Sequence, residues 1–565
     1  AEQTFEETVC PTCGQRMPEE AQKAAQAAFE TDRKRVQTEA VEEADRAKAD
    51  RSMAQARRED AIEAGVRAEN EIARLRAELE AYRAPAPAEV EDLPGFARQE
   101  AELTAALEGG KSPAAVSGLA AVHRAHFAAG VYARTGRPVV LVCADEGEGE
   151  RLARDLESLT GQRVPVLAPR SYIFHNAATV SRQWEHRRLR LLYRLTRGEV
   201  PCLVATVEAL LQRTLPPEAL ERACAALAVG QTADLEELTA HLTEAGYVRC
   251  EQVEGPGQFA LRGGILDVYS PAMEAPVRAE FFGDEVDALG IFDPVTQRRT
   301  ANVEQAVLLP AAETLPHLAP GGLAGLLKQL DQRSAAAVRD GLEELAATLR
   351  QDREALEEGR SFPAADRYLP LIYPELATAA DYLPYDACVL FSESSRVGER
   401  AKTYQWQLEE DAKSLMERGE LDGSCGELCL PFDRLCRRLE DFPFAYLDSF
   451  SLSSYPVYPK CLLSVMAKQL PSFGASLETA VSDLDHYQRS GLGTLVLVSS
   501  EQRALNLQML LREQGLRAAV EFQPQTLPGP GETLVSVGGL SAGMEYPEAR
   551  LAVLTEGQGA ALKKP

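Results

Sequence analysis

Short apolar segments alternate with amphipathic helical segments along much of this chain, and this alternation constrains the fold more than any other feature. The segment 137-RPVVLVCA-144 has the character of a buried strand, and 145-DEGEGERLARDLESLTG-161 follows it as an amphipathic helix that ends in glycine. The segment 201-PCLVATVEALLQRTLP-216 repeats the order of strand, turn and helix. Strands separated by such helices are typical of a parallel sheet covered by helices, so the sequence predicts an α/β fold.

Two later regions continue this pattern. Residues 385–391, YDACVLF, predict a strand that returns to the first sheet. From about residue 441 a second α/β domain begins, in which the strand 493-GTLVLVSS-500 leads into a helix over 501–515. The last strand of this domain is predicted within 549-ARLAVLTEG-557.

Residues 224–310 have a different pattern. The segments 256-PGQFALRGGILDVYSP-271 and 276-PVRAEFFGDEVDALGIFDP-294 alternate with period two and carry turn residues between them. This predicts a small α+β domain inserted into the first α/β domain. After the break 316-PHLAPGG-322, residues 323–358 predict a single helix. The predicted divisions are 1–84 (an N-terminal arm), 85–95 (a linker), 96–223 (the first part of the α/β domain), 224–310 (the insertion), 311–435 (a helical segment and the return to the first domain) and 441–560 (the second α/β domain).

The N-terminal arm has the composition of a long polar helix. Pro18, followed by two glutamates, is a favourable helix start. Its apolar residues are sparse, but Ile72, Leu75, Leu79 and Tyr82 step by three, four and three, which is the spacing of a coiled-coil seam. A coiled-coil arm and a solvated single helix are both compatible with this pattern. The Pro/Ala-rich segment 84-APAPAEVEDLPG-95 then predicts a linker.

Cys10 and Cys13 form a C-x-x-C pair ahead of this helix. Two such thiolates supply half of a tetrahedral zinc site, and a second chain could supply the other half. The segment resembles the zinc hook of coiled-coil repair ATPases of the SbcC type, which implies self-association through the N-terminal helix. Two free thiols are the alternative interpretation.

The charge balance restricts the partners of the chain. The net charge of −26 argues against a large nucleic-acid footprint, which would need a basic face. No apolar run reaches the roughly 18 residues of a membrane span, and no signal peptide opens the chain. The 11 cysteines lie mostly inside apolar runs, which indicates reduced thiols and a cytoplasmic location.

Two short motifs resemble parts of a nucleotide site. The segment 108-EGGKSP-113 ends like a phosphate-binding loop, but Ala105 stands where the first glycine of that loop belongs. A helix precedes it where a strand is needed, so it predicts a helix end. The segment 284-DEVD-287 mimics a helicase acidic box, but 280-EFFG-283 precedes it in place of small aliphatic residues. Neither motif supports an ATPase in this chain.

Several segments together resemble the N-terminal half of bacterial transcription-repair coupling factors (the Mfd family), a half that is itself similar to UvrB. The likeness covers about residues 95–560. It is carried by 115-AVSGLAAVHRAHFAAG-130, 181-SRQWEHRRLRLL-192, 205-ATVEALLQRTLPPEAL-220, 259-FALRGGILDVYSP-271, 278-RAEFFGDEVDALGIFDPVTQR-298, 307-VLLPAAE-313 and 536-SVGGLSAGMEYPEARLAVLTE-556.

This resemblance implies a UvrB-like fold that has lost its nucleotide-binding motifs, with no catalytic residues and no cofactor. It implies a non-catalytic adaptor that recruits UvrA in nucleotide excision repair. The likeness stops before the polymerase-binding and translocase domains of the family, so we expect this chain to lack them and RNA polymerase and DNA to be contacted only through those missing domains. A zinc-hook scaffold that dimerises through the N-terminal arm is the alternative function.

The resemblance also implies a UvrA-binding site on the inserted domain. Its residues map by motif to Arg262, Arg278, Glu280 and Phe282. The spacing of the last three places them on one face of a strand, with Phe281 pointing to the core. Arginine and an exposed aromatic ring are frequent interface hot spots. A surface ion pair beside a core phenylalanine is the alternative. In the family a C-terminal domain covers this face, so we expect the face to be open here.

Other polar clusters predict little. His123 and His126 lie on one helical stretch and indicate a satisfied or exposed pair rather than metal ligands. Cys425, Cys429 and Cys436 share a helical spacing but have no nearby histidine. The basic helix 185–197 is interpreted as a solvated face over a leucine stripe.

Overall fold

The structure is a computed structural model that describes residues 96–174, 182–359, 362–474, 477–524 and 526–557, together with scattered residues between 19 and 34. The chain divides into two compact units, Ala1–Glu89 and Val90–Pro565. In the first unit the described residues are helical, and the Thr31 hydroxyl donates to the Ala27 carbonyl at 2.7 Å. The predicted zinc pair at Cys10 and Cys13 and the heptad seam over 72–82 lie outside the described residues.

The second unit begins with alternating helices and strands. The helix after β2 illustrates how the sequence sets the ends of these helices. The Asp145 side chain caps its start by accepting from the Glu148 amide, and Gly161 ends it in the left-handed conformation. The elements are α1 (Phe96–Glu108), β1 (Ala114–Ser117), α2 (Ala121–Thr135), β2 (Val139–Cys143), α3 (Glu146–Thr160), β3 (Val166–Leu167), α4 (Gln183–Thr196), β4 (Cys202–Thr206), α5 (Val207–Leu211) and α6 (Pro217–Ala223).

The inserted region forms its own six-stranded sheet. Its elements are β5 (Ala225–Ala228), α7 (Leu235–Glu244), β6 (Val248–Arg249), β7 (Gln258–Arg262), β8 (Ile265–Tyr269), β9 (Val277–Phe282), β10 (Glu285–Phe292), β11 (Arg299–Asn302) and β12 (Gln305–Leu308). The sheet order is β11-β10-β9-β8-β7-β6, and β5 pairs with β12 where the insertion leaves and rejoins the first domain. Phe259, Leu266, Val277 and Leu289 are core residues on one face of the sheet.

The chain then returns to the first sheet through a helical hairpin. The prediction of a single helix over 323–358 is wrong, because Gly341 adopts a positive φ of 75° and breaks it between Arg339 and Glu343. The elements are α8 (Gly322–Arg339), α9 (Glu343–Glu357), α10 (Leu369–Ile372), β13 (Cys388–Ser392), α11 (Ser394–Glu417), α12 (Phe432–Leu439), β14 (Phe444–Leu447) and β15 (Cys461–Ser464).

These strands complete a seven-stranded sheet in the order β15-β1-β14-β13-β2-β4-β3. Every neighbouring pair is parallel. The burial of β2, β4 and β13 along their whole length follows from helices on both faces. The predicted α/β class is confirmed.

A second, mixed sheet ends the described chain. Its elements are β16 (Lys468–Leu470), α13 (Leu477–Arg489), β17 (Gly493–Val498), α14 (Glu501–Glu513), β18 (Ala519–Val520), β19 (Thr533–Val537), β20 (Gly543–Tyr546) and β21 (Leu551–Thr555). The order is β16-β20-β21-β17-β19-β18, and the four strands from β21 to β18 are parallel.

The second sheet packs on α2 of the first domain. Met544 and Tyr546 share a hydrophobic core with Phe127, and His126 Nδ1 lies 2.8 Å from the Tyr546 hydroxyl. His123 is buried, and its Nδ1 accepts from the Ala120 amide at 3.2 Å. Burial lowers the pKa of both His123 and His126 to about 4. These histidines therefore remain neutral in the folded protein at neutral pH.

We expect His123 and His126 to contribute a fall of the thermal unfolding midpoint as the pH drops from 6.5, the ordinary pKa of histidine, to about 4, against the opposite effect of Glu100, whose pKa burial raises to about 7. The unfolded chain takes up protons at His123 and His126 in this window, whereas the folded chain does not. In a His126→Asn variant the fall should be shallower, as measured by circular dichroism at several pH values. His486→Asn changes an exposed histidine and should keep the original slope. Equal slopes for the two variants would contradict this assignment.

Candidate interaction face

Two tight hairpins bring the predicted site residues to one end of the inserted sheet. Gly263 has a φ of 60° in the turn between β7 and β8, and Gly283 has a φ of 64° in the turn between β9 and β10. A Cβ at Gly264 would lie 2.9 Å from the Phe281 carbonyl oxygen, so this position needs glycine for the close approach of the two turns. The hairpin register is therefore fixed at this end.

The register places the predicted residues on the same face. Arg262 lies opposite Ile265, Ile265 lies opposite Glu280, and Asp267 lies opposite Arg278. Residues two apart on a strand share a face, so Phe282 joins Arg278 and Glu280. We call this surface the arginine face; it consists of Arg262, Ile265, Asp267, Arg278, Glu280, Phe282 and Arg299.

Asp267 is the buried centre of the arginine face. Its carboxylate accepts from Arg278 Nε at 2.7 Å and from Arg278 Nη2 at 2.9 Å, which is a bidentate pair. It also accepts from Arg262 Nη2 at 2.8 Å. The hydrogen bond to Asp267 raises the pKa of Arg278, so its guanidinium remains charged.

Arg278 also contacts an aromatic ring and a loop. Its guanidinium carbon lies 4.6 Å from the centre of the Phe292 ring. Phe292 is buried with Val253 and Ala260 in a small core under this face. Arg278 Nη1 donates to the Gln297 carbonyl at 3.4 Å. The guanidinium is therefore fixed by an ion pair, a ring and a loop.

Glu280 forms a second ion pair. Arg299 Nη1 lies 3.3 Å from Glu280 Oε1. Gly290 makes room for this arginine, because a Cβ at Gly290 would lie 1.8 Å from Arg299 Nε. Both side chains are partly exposed, so the pair contributes little to stability. Its main effect is to orient Glu280 along the sheet.

Phe282 ends β9 with 84% of its surface exposed, whereas Phe281 packs against the core of the insertion. Phe282 is therefore not a core residue. Ile265, on the neighbouring strand, is 39% exposed. The sequence reasoning missed Asp267, Ile265 and Arg299. An aspartate in the middle of the apolar strand 265-ILDVY-269 was a signal that a buried partner would be needed.

The two nucleotide-like motifs lie on different sheets, one ahead of β1 and the other at the β9–β10 hairpin. Gly109 and Gly110 form the turn after α1, and the Ser112 hydroxyl donates to the Phe444 carbonyl. Asp284 and Asp287 are exposed at the β9–β10 hairpin and the bulge that follows it.

No group of three or more potential metal ligands occurs among the residues that the structure describes. Cys425 and Cys436 are buried, and Cys429 is partly buried. Over the same described ranges, no helix is long and apolar enough to cross a membrane. The zinc site at Cys10 and Cys13 stays a prediction.

The carboxyl ends of the parallel strands, where α/β proteins commonly bind ligands, are filled by the chain itself. Arg124 Nη1 on α2 lies 2.6 Å from Glu393 Oε2 after β13, and also donates to the Leu119 carbonyl at 3.0 Å. Arg124 Nη2 lies 3.6 Å from Glu148 Oε1 on α3. Asp448, after β14, accepts from the Ser394 amide and hydroxyl. A guanidinium thus occupies the point where these strands end.

Comparisons with known proteins agree with the sequence motifs. Residues 225–313 match the family model of the UvrB interaction domain. The transcription-repair-coupling factor of Bacillus subtilis (strain 168) is 28% identical over 448 residues, which are 78% of this chain and 38% of that protein. The corresponding protein of Staphylococcus haemolyticus is 25% identical over 450 residues, which are 78% of this chain and 38% of that protein.

The transcription-repair-coupling factor of Myxococcus xanthus is 29% identical over 395 residues, which are 66% of this chain and 31% of that protein. The chain thus spans less than two fifths of the length of these curated relatives. The resemblance to the N-terminal half of transcription-repair coupling factors is confirmed.

Arg124→Ala should lower the free energy of unfolding by about 3 kcal/mol, because Glu393 loses its arginine and the buried Glu148 keeps only the half-exposed Arg396. Urea denaturation followed by circular dichroism measures this. Arg154→Ala removes an exposed arginine and should change stability by at most about 0.5 kcal/mol. If the two variants were equally stable, the Arg124 network would not be the interaction that holds this edge.

Proposed function

We propose that this chain is a non-catalytic, UvrB-like adaptor of transcription-coupled nucleotide excision repair, and that it recruits UvrA through the arginine face. The observation that carries this proposal is the exposed Phe282 ring beside Arg262 and Arg278, on the domain that matches the UvrB interaction domain. An exposed ring and an arginine on one rigid sheet face are the composition of a binding hot spot.

The energetics favour a protein partner for this face. A ring as exposed as Phe282 would contribute about 2 kcal/mol if a partner buried it. Arg262 has 53% of its side chain exposed while one of its nitrogens is held by Asp267. It can therefore pair with a partner carboxylate with little loss of side-chain freedom. The face is already ordered before any partner arrives.

The adaptor is proposed to be non-catalytic for a structural reason. The edge of the sheet where a nucleotide would bind is occupied by Arg124 and its carboxylate partners. The family resemblance implies that RNA polymerase and DNA are contacted by other domains of the longer relatives. Within this proposal, the chain supplies the recruiting surface and no chemistry.

Binding of purified UvrA to the chain is expected, and the triple variant Arg262→Ala, Arg278→Ala, Phe282→Ala should weaken it at least about 100-fold, given the hot-spot contributions of such residues. Isothermal titration calorimetry measures the affinity, and circular dichroism verifies that the variant is folded.

A matched control is available outside the inserted domain. Arg154→Ala, Arg437→Ala, Phe450→Ala removes the same residue types from exposed positions and should bind UvrA like the original chain. Absence of binding by the original chain would refute the proposed function. Equal loss in both triple variants would refute the assignment to the arginine face.

ATP should be neither bound nor hydrolysed by this chain. We expect no phosphate release above the buffer rate, and no shift of the unfolding midpoint on addition of magnesium and ATP. Saturable turnover that survives further purification would contradict the non-catalytic assignment and leave UvrA recruitment to be judged by the binding experiment alone.

A further inference from the structure

Positive charge within the inserted domain is concentrated on the arginine face. Residues 225–313 contain 15 acidic residues and five arginines, and no lysine. Three of these arginines, Arg262, Arg278 and Arg299, belong to the arginine face. Three of the domain's five arginines thus lie around its most exposed aromatic ring, Phe282, with Asp267 and Glu280 as their carboxylate partners.

The arginines of this face are not equivalent. Arg278 directs Nε and Nη2 to Asp267 and Nη1 to Gln297, and its side chain is only 21% exposed. Arg299 is paired with Glu280. Within the described residues, Arg262 makes a single hydrogen bond, from Nη2 to Asp267. Its Nε and Nη1 are therefore the donors that a partner can use.

Next to Arg262 the sheet presents two exposed apolar side chains. Ile265 is the cross-strand neighbour of both Arg262 and Glu280. Phe282 lies two residues beyond Glu280 on β9, which makes it the diagonal neighbour of Ile265 and within reach of an aromatic side chain. The pair forms an apolar strip with Arg262 on one side and the Glu280–Arg299 ion pair on the other.

We infer that Arg262, Ile265 and Phe282 are the contacting residues of the arginine face, whereas Asp267 and Arg278 position Arg262 from behind. The partner segment that fits carries a carboxylate, which pairs with Arg262, beside an apolar side chain, which packs on Ile265 and Phe282. This inference rests on the proposed function, and it adds Ile265 as a contact and Asp267 as a positioning residue.

The Asp267→Asn variant tests whether Asp267 acts by positioning Arg262 or only through its negative charge. The substitution makes the face one unit more positive, so a purely electrostatic surface would bind an acidic partner segment more tightly. If Asp267 positions Arg262, binding of purified UvrA should instead weaken about tenfold. Asp287→Asn makes the same charge change at an exposed position of the same sheet and should leave the affinity unchanged.

A double-mutant cycle separates positioning from loss of structure. In an Arg262→Gln background, Asp267→Asn should cause no further loss of UvrA affinity, because the side chain that it positions is gone. A variant that acts by loosening the domain would lose affinity again. If Asp267→Asn lowered the UvrA affinity equally in the original chain and in the Arg262→Gln variant, the positioning role of Asp267 would be overturned.

Ile265→Ser tests the apolar contact. It should weaken UvrA binding about tenfold in a variant that circular dichroism shows to be folded, as expected for an apolar interface residue. Val338→Ser, an exposed valine outside the inserted domain, is the control and should have no effect. Unchanged affinity in Ile265→Ser and Asp267→Asn, with binding by the original chain intact, would overturn this inference alone. No binding by the original chain would overturn the proposed function together with it.

Discussion

A buried carboxylate held by two arginines fixes the junction between the inserted domain and the α/β domain. The position of the inserted domain on the α/β domain depends on this interaction. Glu313 is fully buried just after the insertion, 3.3 Å from Arg170 Nη1 and 3.1 Å from Arg188 Nε, and accepts from the Thr214 hydroxyl at 2.6 Å. Burial acts to raise the pKa of Glu313, but Arg170 and Arg188 outweigh it, so the pKa is lowered. Because an unpaired charge here would cost several kcal/mol, the junction is not free to open.

The same arrangement, a buried carboxylate between two arginines, recurs at the arginine face, but there one of the arginines is exposed. Asp267, like Glu313, is a buried carboxylate shared by two arginines. At Glu313 both arginines are buried, so the network only joins domains. At Asp267, Arg262 reaches the surface, so the same ion-pair chemistry leaves donors for a partner. The two networks differ in function because the arginines around Glu313 are buried, whereas Arg262 beside Asp267 is exposed to water.

The sequence predicted the parts that depend on local pattern. The strand and helix around 139–160 were found because their apolar spacing and their caps are local. The helix predicted over 323–358 was wrong because one glycine turns an uninterrupted helical composition into a hairpin. The family resemblance, which the comparisons confirm, supplied Arg262, Arg278, Glu280 and Phe282, but not the other three residues of the arginine face.

What the sequence could not predict are the partners across strands and between distant segments. Asp267 is five residues from Arg262 and 11 from Arg278, and only the strand register shows that one carboxylate serves both. The Arg124 network joins residues that are 269 positions apart in the sequence. Such pairings depend on tertiary geometry, and a single sequence contains no direct signal for them.

The charge distribution gives the arginine face a particular mode of recognition. The chain carries a net charge of −26, so it does not attract an acidic partner from a distance. Salt screens exposed charges beyond about 8 Å at physiological ionic strength, so the local arginines act only near contact. The apolar strip of Ile265 and Phe282 must then supply much of the affinity. Arg262 selects a partner segment that carries a carboxylate. Because selection at contact depends on geometry, an arginine held by a buried aspartate suits this surface better than a mobile lysine would.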